Sequence, residues 1–352
     1  MRIAQALAAT LIGFMLAGTA RAEQLAVGIV APLSGPSERL GRQIVTGATL
    51  AAGKQPSLTI ADDACTAEGG KSAARTLVQT GVKVAIGFLC MESIKAAAPI
   101  LKDAGIPVIV LGVRADSLTD QRARSGWPVF RLGPRGDAER NAVASMLTRL
   151  WKNEHFAIVD DGTIYGRELA ETLRAQVEQA ALKPVFTDTF RPGLDNQIAL
   201  AGRLRRSGAT HVFAGGDAED IAIMARDASG LDAGITFAGG EALRSAMADV
   251  PLATGTLMIG LPEWSEVADQ QVIAAFNAAD ELAEGYALPA YAAVQIAEQA
   301  AASGKPLTDA LSQQSFSTTI GQIRFDEKGD LTQSPYRLFR FDGQRFAEQE
   351  VP

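Results

Sequence analysis

The chain has 352 residues, two cysteines, two histidines and a formal net charge of −7, with acidic and basic residues interspersed. No basic face is available to meet phosphates, which argues against nucleic acid or an anionic membrane surface as a partner. Cys65, Cys90, His155 and His211 do not form a zinc-ligand pattern, so no metal or other cofactor is expected.

The N-terminus reads as a cleaved leader. Arg2 gives a basic start, residues 3–18 are mainly apolar, and Ala20-Arg21-Ala22 is an A-x-A signal before Glu23. The alternative is a buried N-terminal helix. No cysteine lies near the cleavage point, so a lipid anchor is not expected, and no later apolar run is long enough to span a bilayer. About 330 residues remain, room for two domains with sizeable cores.

In chain order, residues 25–33 form a first strand, Ser34-Gly35-Pro36-Ser37 a turn, and a helix runs to about Ala52. A second strand covers 58–62, and a helix about 68–80. The stretch 82–119 then reads strand (82–88), helix (94–104), strand (106–111), a βαβ unit with parallel strands. Its outgoing segments, 90–93 and 112–116, must lie side by side at the edge where open α/β sheets bind ligands. Pro99 fits the helix poorly and predicts a kink or a late start. Residues 127–132 form a strand leaving this domain, and Gly133-Pro134-Arg135-Gly136 is a natural hinge.

The pattern then restarts. A helix covers 137–151, a strand 155–160, a long helix 167–182, a strand 184–189 and a helix near 196–207. Strands at 210–214, 235–238 and 256–260 end this series, with a helix to about Ser229 after the first of them. Leu261-Pro262 is a second hinge candidate, followed by helices at about 268–283 and 287–302, a strand at 320–325, and a hairpin over 336–346 with Asp342-Gly343 at its turn. The fold class is α/β, two doubly wound domains of similar grammar.

Candidate ligand residues sit just past strand ends: Met91, Glu92 and Arg114 in the first domain, and Tyr165, Asp217 and Glu241 in the second. A cleft between the domains would face both groups. Each has a plainer reading: Asp217 as a helix cap, Glu241 as a partner of a helix dipole, Tyr165 as packing, Arg114 as a solvated surface charge. Enzyme signatures are weak, with no nucleophile elbow, phosphate loop or paired-histidine metal helix. Cys65 and Cys90 each follow a strand. If consecutive parallel strands are neighbours, both thiols share one sheet edge and can bond in an oxidising compartment. Two separate buried thiols are the alternative.

Asp62-Asp63-Ala64-Cys65, Gly87-Phe88-Leu89-Cys90, residues 104–109 (AGIPVI) and Ser117-Leu118-Thr119-Asp120 resemble the Leu/Ile/Val-binding proteins of bacterial ABC importers. Ile164-Tyr165-Gly166, Phe213-Ala214-Gly215-Gly216, Gly239-Gly240-Glu241 and residues 325–330 (FDEKGD) do so too, in the same order along essentially the whole mature chain. The resemblance implies a two-lobed periplasmic binding protein of type I, with three interlobe crossovers and a ligand held between the lobes. It places lobe 1 at 23–133 plus 261–332 and lobe 2 at 134–260 plus 333–352. It matches Cys65–Cys90 to the family disulfide. It implies a periplasmic monomer, no enzyme, that hands a small molecule (an amino acid or related compound) to an inner-membrane ABC permease. A sensory receptor on the same fold, or an exported hydrolase, are the alternatives.

Carried over residue by residue, Glu241 stands at the family's ammonium-binding glutamate and Tyr165 at a site-lining tyrosine. The other positions depart from the family. Met91 replaces a carboxylate-binding serine, Arg114 a threonine, Asp217 a second tyrosine, and Leu40 a first-lobe aromatic. Arg114 can supply a bidentate carboxylate contact in place of the two lost hydroxyls. Asp217 beside Glu241 would call for a cation or several donors between them. Alternatively, Arg114 pairs with Asp217 or Glu241 across the cleft.

Overall fold

The computed structural model describes residues 25–54, 56–245 and 249–350. The leader read at 1–22 lies outside the described residues. Among the described residues, no helix is long and apolar enough to cross a membrane.

The first lobe is built on five parallel strands: β1 (Ala26–Ala31), β2 (Ser57–Asp62), β3 (Val84–Gly87), β4 (Val108–Val110) and β5 (Val129–Arg131), in the order β2-β1-β3-β4-β5. Strands β3, β4 and the edge strand β5 are buried at every residue. That is what Val- and Ile-rich segments require when helices cover both faces of a sheet. One face packs under the helices Ala67–Thr80 and Met91–Asp103, through Leu77, Ile94 and Leu101. The other packs under Glu38–Ala52 and Ala287–Ala302. Those last two helices touch so closely that a Cβ on Gly47 would lie 1.9 Å from the Ala287 carbonyl oxygen. Glycine is the residue that permits this approach.

The second lobe carries β6 (Phe156–Asp160), β7 (Phe186–Thr189), β8 (His211–Gly215), β9 (Thr236–Gly239) and β10 (Leu257–Gly260), all parallel. A two-stranded ribbon, β11 (Ser315–Thr318) and β12 (Gly321–Arg324), follows and packs Phe316 and Ile323 into the first lobe's core. The chain then returns as β13 (Arg337–Phe341) and β14 (Phe346–Gln349), which extend the second sheet antiparallel in the order β14-β13-β10-β9-β8-β6-β7. The chain thus passes between the two sheets' lobes three times: after β5, after β10 and after β12.

Several local readings are corrected here. The helix read at 94–104 begins at Met91 and runs unbroken to Asp103 with Pro99 inside it, so the late start does not occur. Pro99 and Lys95, four residues earlier, are both on the exposed side, where a missing N–H costs least. The helix read at 268–283 is shorter, Gln270–Ala278, capped by Asp269, which accepts the Gln271 N–H at 2.8 Å; a separate helical turn, Trp264–Val267, precedes it. The strand read at 320–325 is one arm of a ribbon whose other arm, β11, is Ser/Thr-rich and carries only Phe316 as an apolar signal. Finally, β2 and β3 are not neighbours, because β1 lies between them. The edge argument survives because all three are parallel. Cys65 and Cys90 leave the same end and are joined as a disulfide across β1, with Cα atoms 5.2 Å apart.

Candidate functional site

The three crossings enclose a cavity of about 420 Å³. Residues 132–134, 261–265 and 331–335 form its hinge-side wall, and Leu111, Trp264, Tyr286 and Ile323 give it an apolar and aromatic surface. Arg114 enters from the loop after β4. Glu241 enters from the tight turn after β9, where Gly239-Gly240 gives way to a single 3-10 turn, Glu241–Arg244. The two charges therefore come from opposite lobes.

Most ionic groups in the wall are already neutralised. Arg244 pairs with Glu263 at 2.8 Å, Arg337 with Glu348 at 2.8 Å, and Glu284 with Arg39 at 3.0 Å. Among the described residues, Arg114, Glu241 and Arg324 have no such ion-pair partner; Arg114 and Glu241 share Tyr336. The Arg114 Nη1 donates to the Tyr336 hydroxyl at 3.5 Å, and that hydroxyl donates to Glu241 Oε2 at 3.4 Å. Tyr336 is buried, and burial together with the Glu241 charge pushes its phenol well above the usual range, so it stays a donor. Both contacts are long, which leaves both charged groups capacity for a further partner.

Beneath Glu241 lies a carboxylate that sequence reading missed. Glu139, in the first turn of the helix Ala138–Leu150, accepts the Glu241 backbone N–H at 2.7 Å and the Tyr165 hydroxyl at 2.6 Å, both on Oε1. Burial lifts its carboxyl above the ordinary range, against the pull of these two donors; the charge of Glu241 adds to the lift and that of Arg114 opposes it. An acid in a helix's first turn ordinarily reads as a dipole partner, so no sequence signal marks this one.

The expected residues fall into two groups. Arg114, Glu241 and Tyr165 are linked, the last through Glu139 and through the Ala242 N–H, which it accepts at 3.3 Å. Met91, Asp217 and Leu40, and Tyr165 too, are not in the cavity wall. Met91 opens its helix half-buried against the first lobe's core. Leu40 is exposed on the helix Glu38–Ala52. Asp217 caps the helix Ala218–Gly230, accepting the Asp220 N–H at 3.0 Å, and groups electrostatically with Asp161 and Asp220. The acid bonded to the Glu241 backbone is thus Glu139. Arg114 makes no direct ion pair with Asp217 or Glu241; Tyr336 stands between it and the latter. No cluster of potential metal ligands occurs among the described residues.

Two lobes of mostly parallel sheet, three crossings and a cavity shared between them define a ligand-binding α/β fold of the two-lobed, type I kind. A family model described as periplasmic binding protein matches residues 24–345, and the chain belongs to that family. Among its relatives, the Leu/Ile/Val-binding protein BraC3 of Rhizobium johnstonii is 26% identical, over 98% of this chain and 99% of its own. The leucine-, isoleucine-, valine-, threonine- and alanine-binding protein of Pseudomonas aeruginosa is 26% identical over 97% of this chain and 96% of its own. Among solved structures, a putative branched-chain amino acid ABC transporter from Rhodospirillum rubrum superposes with a TM-score of 0.75 at 20% identity, covering 93% of this chain and 100% of that one. A solute-binding protein of an ABC transporter from R. palustris, in complex with benzoate, gives 0.56 at 20% identity, covering 94% and 96%.

Proposed function

We propose that this protein is the solute-binding component of an ABC importer for an amino acid or a related small polar molecule. The observation that carries the reading is the placement of Arg114 and Glu241 on opposite lobes, without ion-pair partners and bridged by Tyr336 at the cavity. A zwitterion spans such a pair, its carboxylate toward Arg114 and its ammonium toward Glu241. Contacts to both lobes would favour the closed arrangement, so binding is hinge closure and no bond is made or broken. Tyr165 would act from behind the cavity wall, by holding Glu139 against the Glu241 backbone. In this reading Met91, Asp217 and Leu40 are not ligand contacts.

The same reading places the protein in the periplasm, released after Ala22, as a monomer serving an inner-membrane permease. It divides the chain into lobe 1 (23–133 plus 261–332) and lobe 2 (134–260 plus 333–352). The sheet membership of β1–β5 and of β6–β10, β13 and β14 supports that division. The aromatic wall of Trp264 and Tyr286 favours a second ligand class, aromatic carboxylates, and the R. palustris neighbour was solved with one.

A thermal-shift panel of amino acids, amines and benzoates tests both. A ligand present at a hundred times its Kd stabilises by about 2.7 kcal/mol, an easily read shift. An amino acid should give it. Silence across the whole panel would sink the proposal.

A further inference from the structure

The loop that carries Arg114 is held by a side chain that never reaches the cavity. Arg131, the last residue of β5, is fully buried. Its Nε donates to Asp330 Oδ1 at 2.8 Å. Its Nη1 is shared by three consecutive main-chain carbonyls, those of Val113, Arg114 and Ala115, at 3.2, 3.0 and 2.9 Å. Its Nη2 donates to the Thr119 hydroxyl. Three carbonyls converging on one nitrogen turn that loop's oxygens inward. The Arg114 side chain is exposed on the other side, at the cavity.

The same carboxylate reaches the hinge. Asp330 Oδ2 accepts from Thr119 at 2.8 Å and from Arg135, on the first crossing, at 2.8 Å. Asp330 itself stands at the start of the third crossing, where the neighbouring Gly329 carbonyl accepts the Arg131 N–H at 2.7 Å. One residue past Arg135, the Gly136 N–H donates to the Arg114 carbonyl at 2.7 Å and to Asp116 Oδ1 at 3.0 Å. A guanidinium buried at this depth is tolerated only with its donors met, so the arrangement is rigid within the lobe. It reaches the first crossing through Arg135, which also pairs directly with Asp116 at 3.5 Å and Asp120 at 3.3 Å.

We propose that Arg131 and Asp330 are positioning residues for Arg114, and that Asp330 couples the Arg114 loop to the hinge through Arg135. Rotation of the crossings then moves the loop's carbonyls, and cleft closure aims the Arg114 guanidinium. The functional consequence rests on the reading of Arg114 as a ligand contact; the mechanical coupling does not.

Amide hydrogen exchange in the ligand-free protein tests it. Arg135→Gln removes the side-chain link from Asp330 to the first crossing, while the buried Arg131–Asp330 pair and the Gly136 N–H bonds to Arg114 and Asp116 stay in place. Exchange at Leu118, Thr119 and Asp120, whose N–H groups bond to the Ala115 and Asp116 carbonyls of that loop, should become about ten-fold faster while the helix Ala218–Gly230 in the second lobe is unchanged. Arg131→Lys keeps a charge for Asp330 but loses the planar fork, and should give a larger effect at the same residues. Unchanged exchange at Leu118, Thr119 and Asp120 in Arg135→Gln, or uniform acceleration through the whole first lobe, would overturn the coupling. Should Arg131→Lys not fold, the Arg135→Gln result decides. Titrating L-leucine and benzoate into the wild type is a separate arm. Failure of both to bind counts against the proposed function, and the exchange data still decide this inference.

Discussion

Glu139 and Glu241 are joined through the backbone: the Glu241 N–H donates to Glu139 Oε1 at 2.7 Å, and Tyr165 donates to the same oxygen at 2.6 Å. Burial raises the Glu139 carboxyl above its ordinary value of 4.5. The folded state therefore holds this proton more tightly than the unfolded chain. Its contribution to stability is complete below that ordinary value and is lost as pH rises through the raised one. Glu139→Gln keeps the accepting oxygen and removes the charge. Urea midpoints should show the variant more stable than wild type at neutral pH and less dependent on pH. A variant less stable at neutral pH would show that the anion, not the proton, is what the site holds.

The disulfide closes a loop across a sequence separation of 25 residues. In the chain-entropy model such a closure is worth about 3.5 kcal/mol. Both cysteines sit at the ligand-facing edge of lobe 1, yet neither lines the cavity. Reduction should lower the melting temperature and leave ligand binding intact once temperature is controlled for. An unchanged melting temperature in reductant would mean that the bond contributes nothing to stability.

Beside that bond, Asp63 is fully buried and accepts the Ser93 hydroxyl at 2.5 Å and the Cys65 N–H at 3.2 Å. The contact pins the β2 loop to the helix Met91–Asp103, and the helix Ala67–Thr80 approaches closely beside it: a Cβ on Gly70 would lie 2.3 Å from the Ser93 carbonyl oxygen and 2.8 Å from its hydroxyl. Ser93→Ala leaves a buried carboxylate oxygen without this donor. The expected cost is about 1–3 kcal/mol, read as a lower urea midpoint with an unchanged slope. A loss under about 0.5 kcal/mol would place this position among ordinary surface sites.

The parts that were legible in sequence are those governed by local pattern. Val84–Gly87 and Val108–Val110 read as buried parallel strands because short apolar runs flanked a helix, and they pair directly. β11 was not legible, because Ser-Phe-Ser-Thr offers one apolar residue and its partner strand is what holds it. Arg131 left a usable trace, a charge inside an apolar strand, which demands a buried counter-charge. The partner, Asp330, is 199 residues away, and nothing local names it. Glu139 left no trace at all. Its role depends on Tyr165 and on the 3-10 turn at Glu241, which meet it only once three separate segments have packed.

The binding proposal ranks three substitutions. Glu241 sits on the cavity wall with its charge opposed by no ion pair, so Glu241→Ala removes a charge-assisted contact worth about 1.5–3 kcal/mol, roughly ten- to a hundred-fold in Kd. Arg114→Lys keeps the positive charge but loses the planar fork, and should fall between that loss and wild type. Leu40 is 41% exposed and lies outside the cavity wall, so Leu40→Ala should cost no more than about 0.5 kcal/mol. Isothermal titration with the compound giving the largest thermal shift would establish the order. If Leu40→Ala weakened binding more than Glu241→Ala, the ligand would sit against the helix Glu38–Ala52 instead of between Arg114 and Glu241, and its recognition would be apolar in place of ionic.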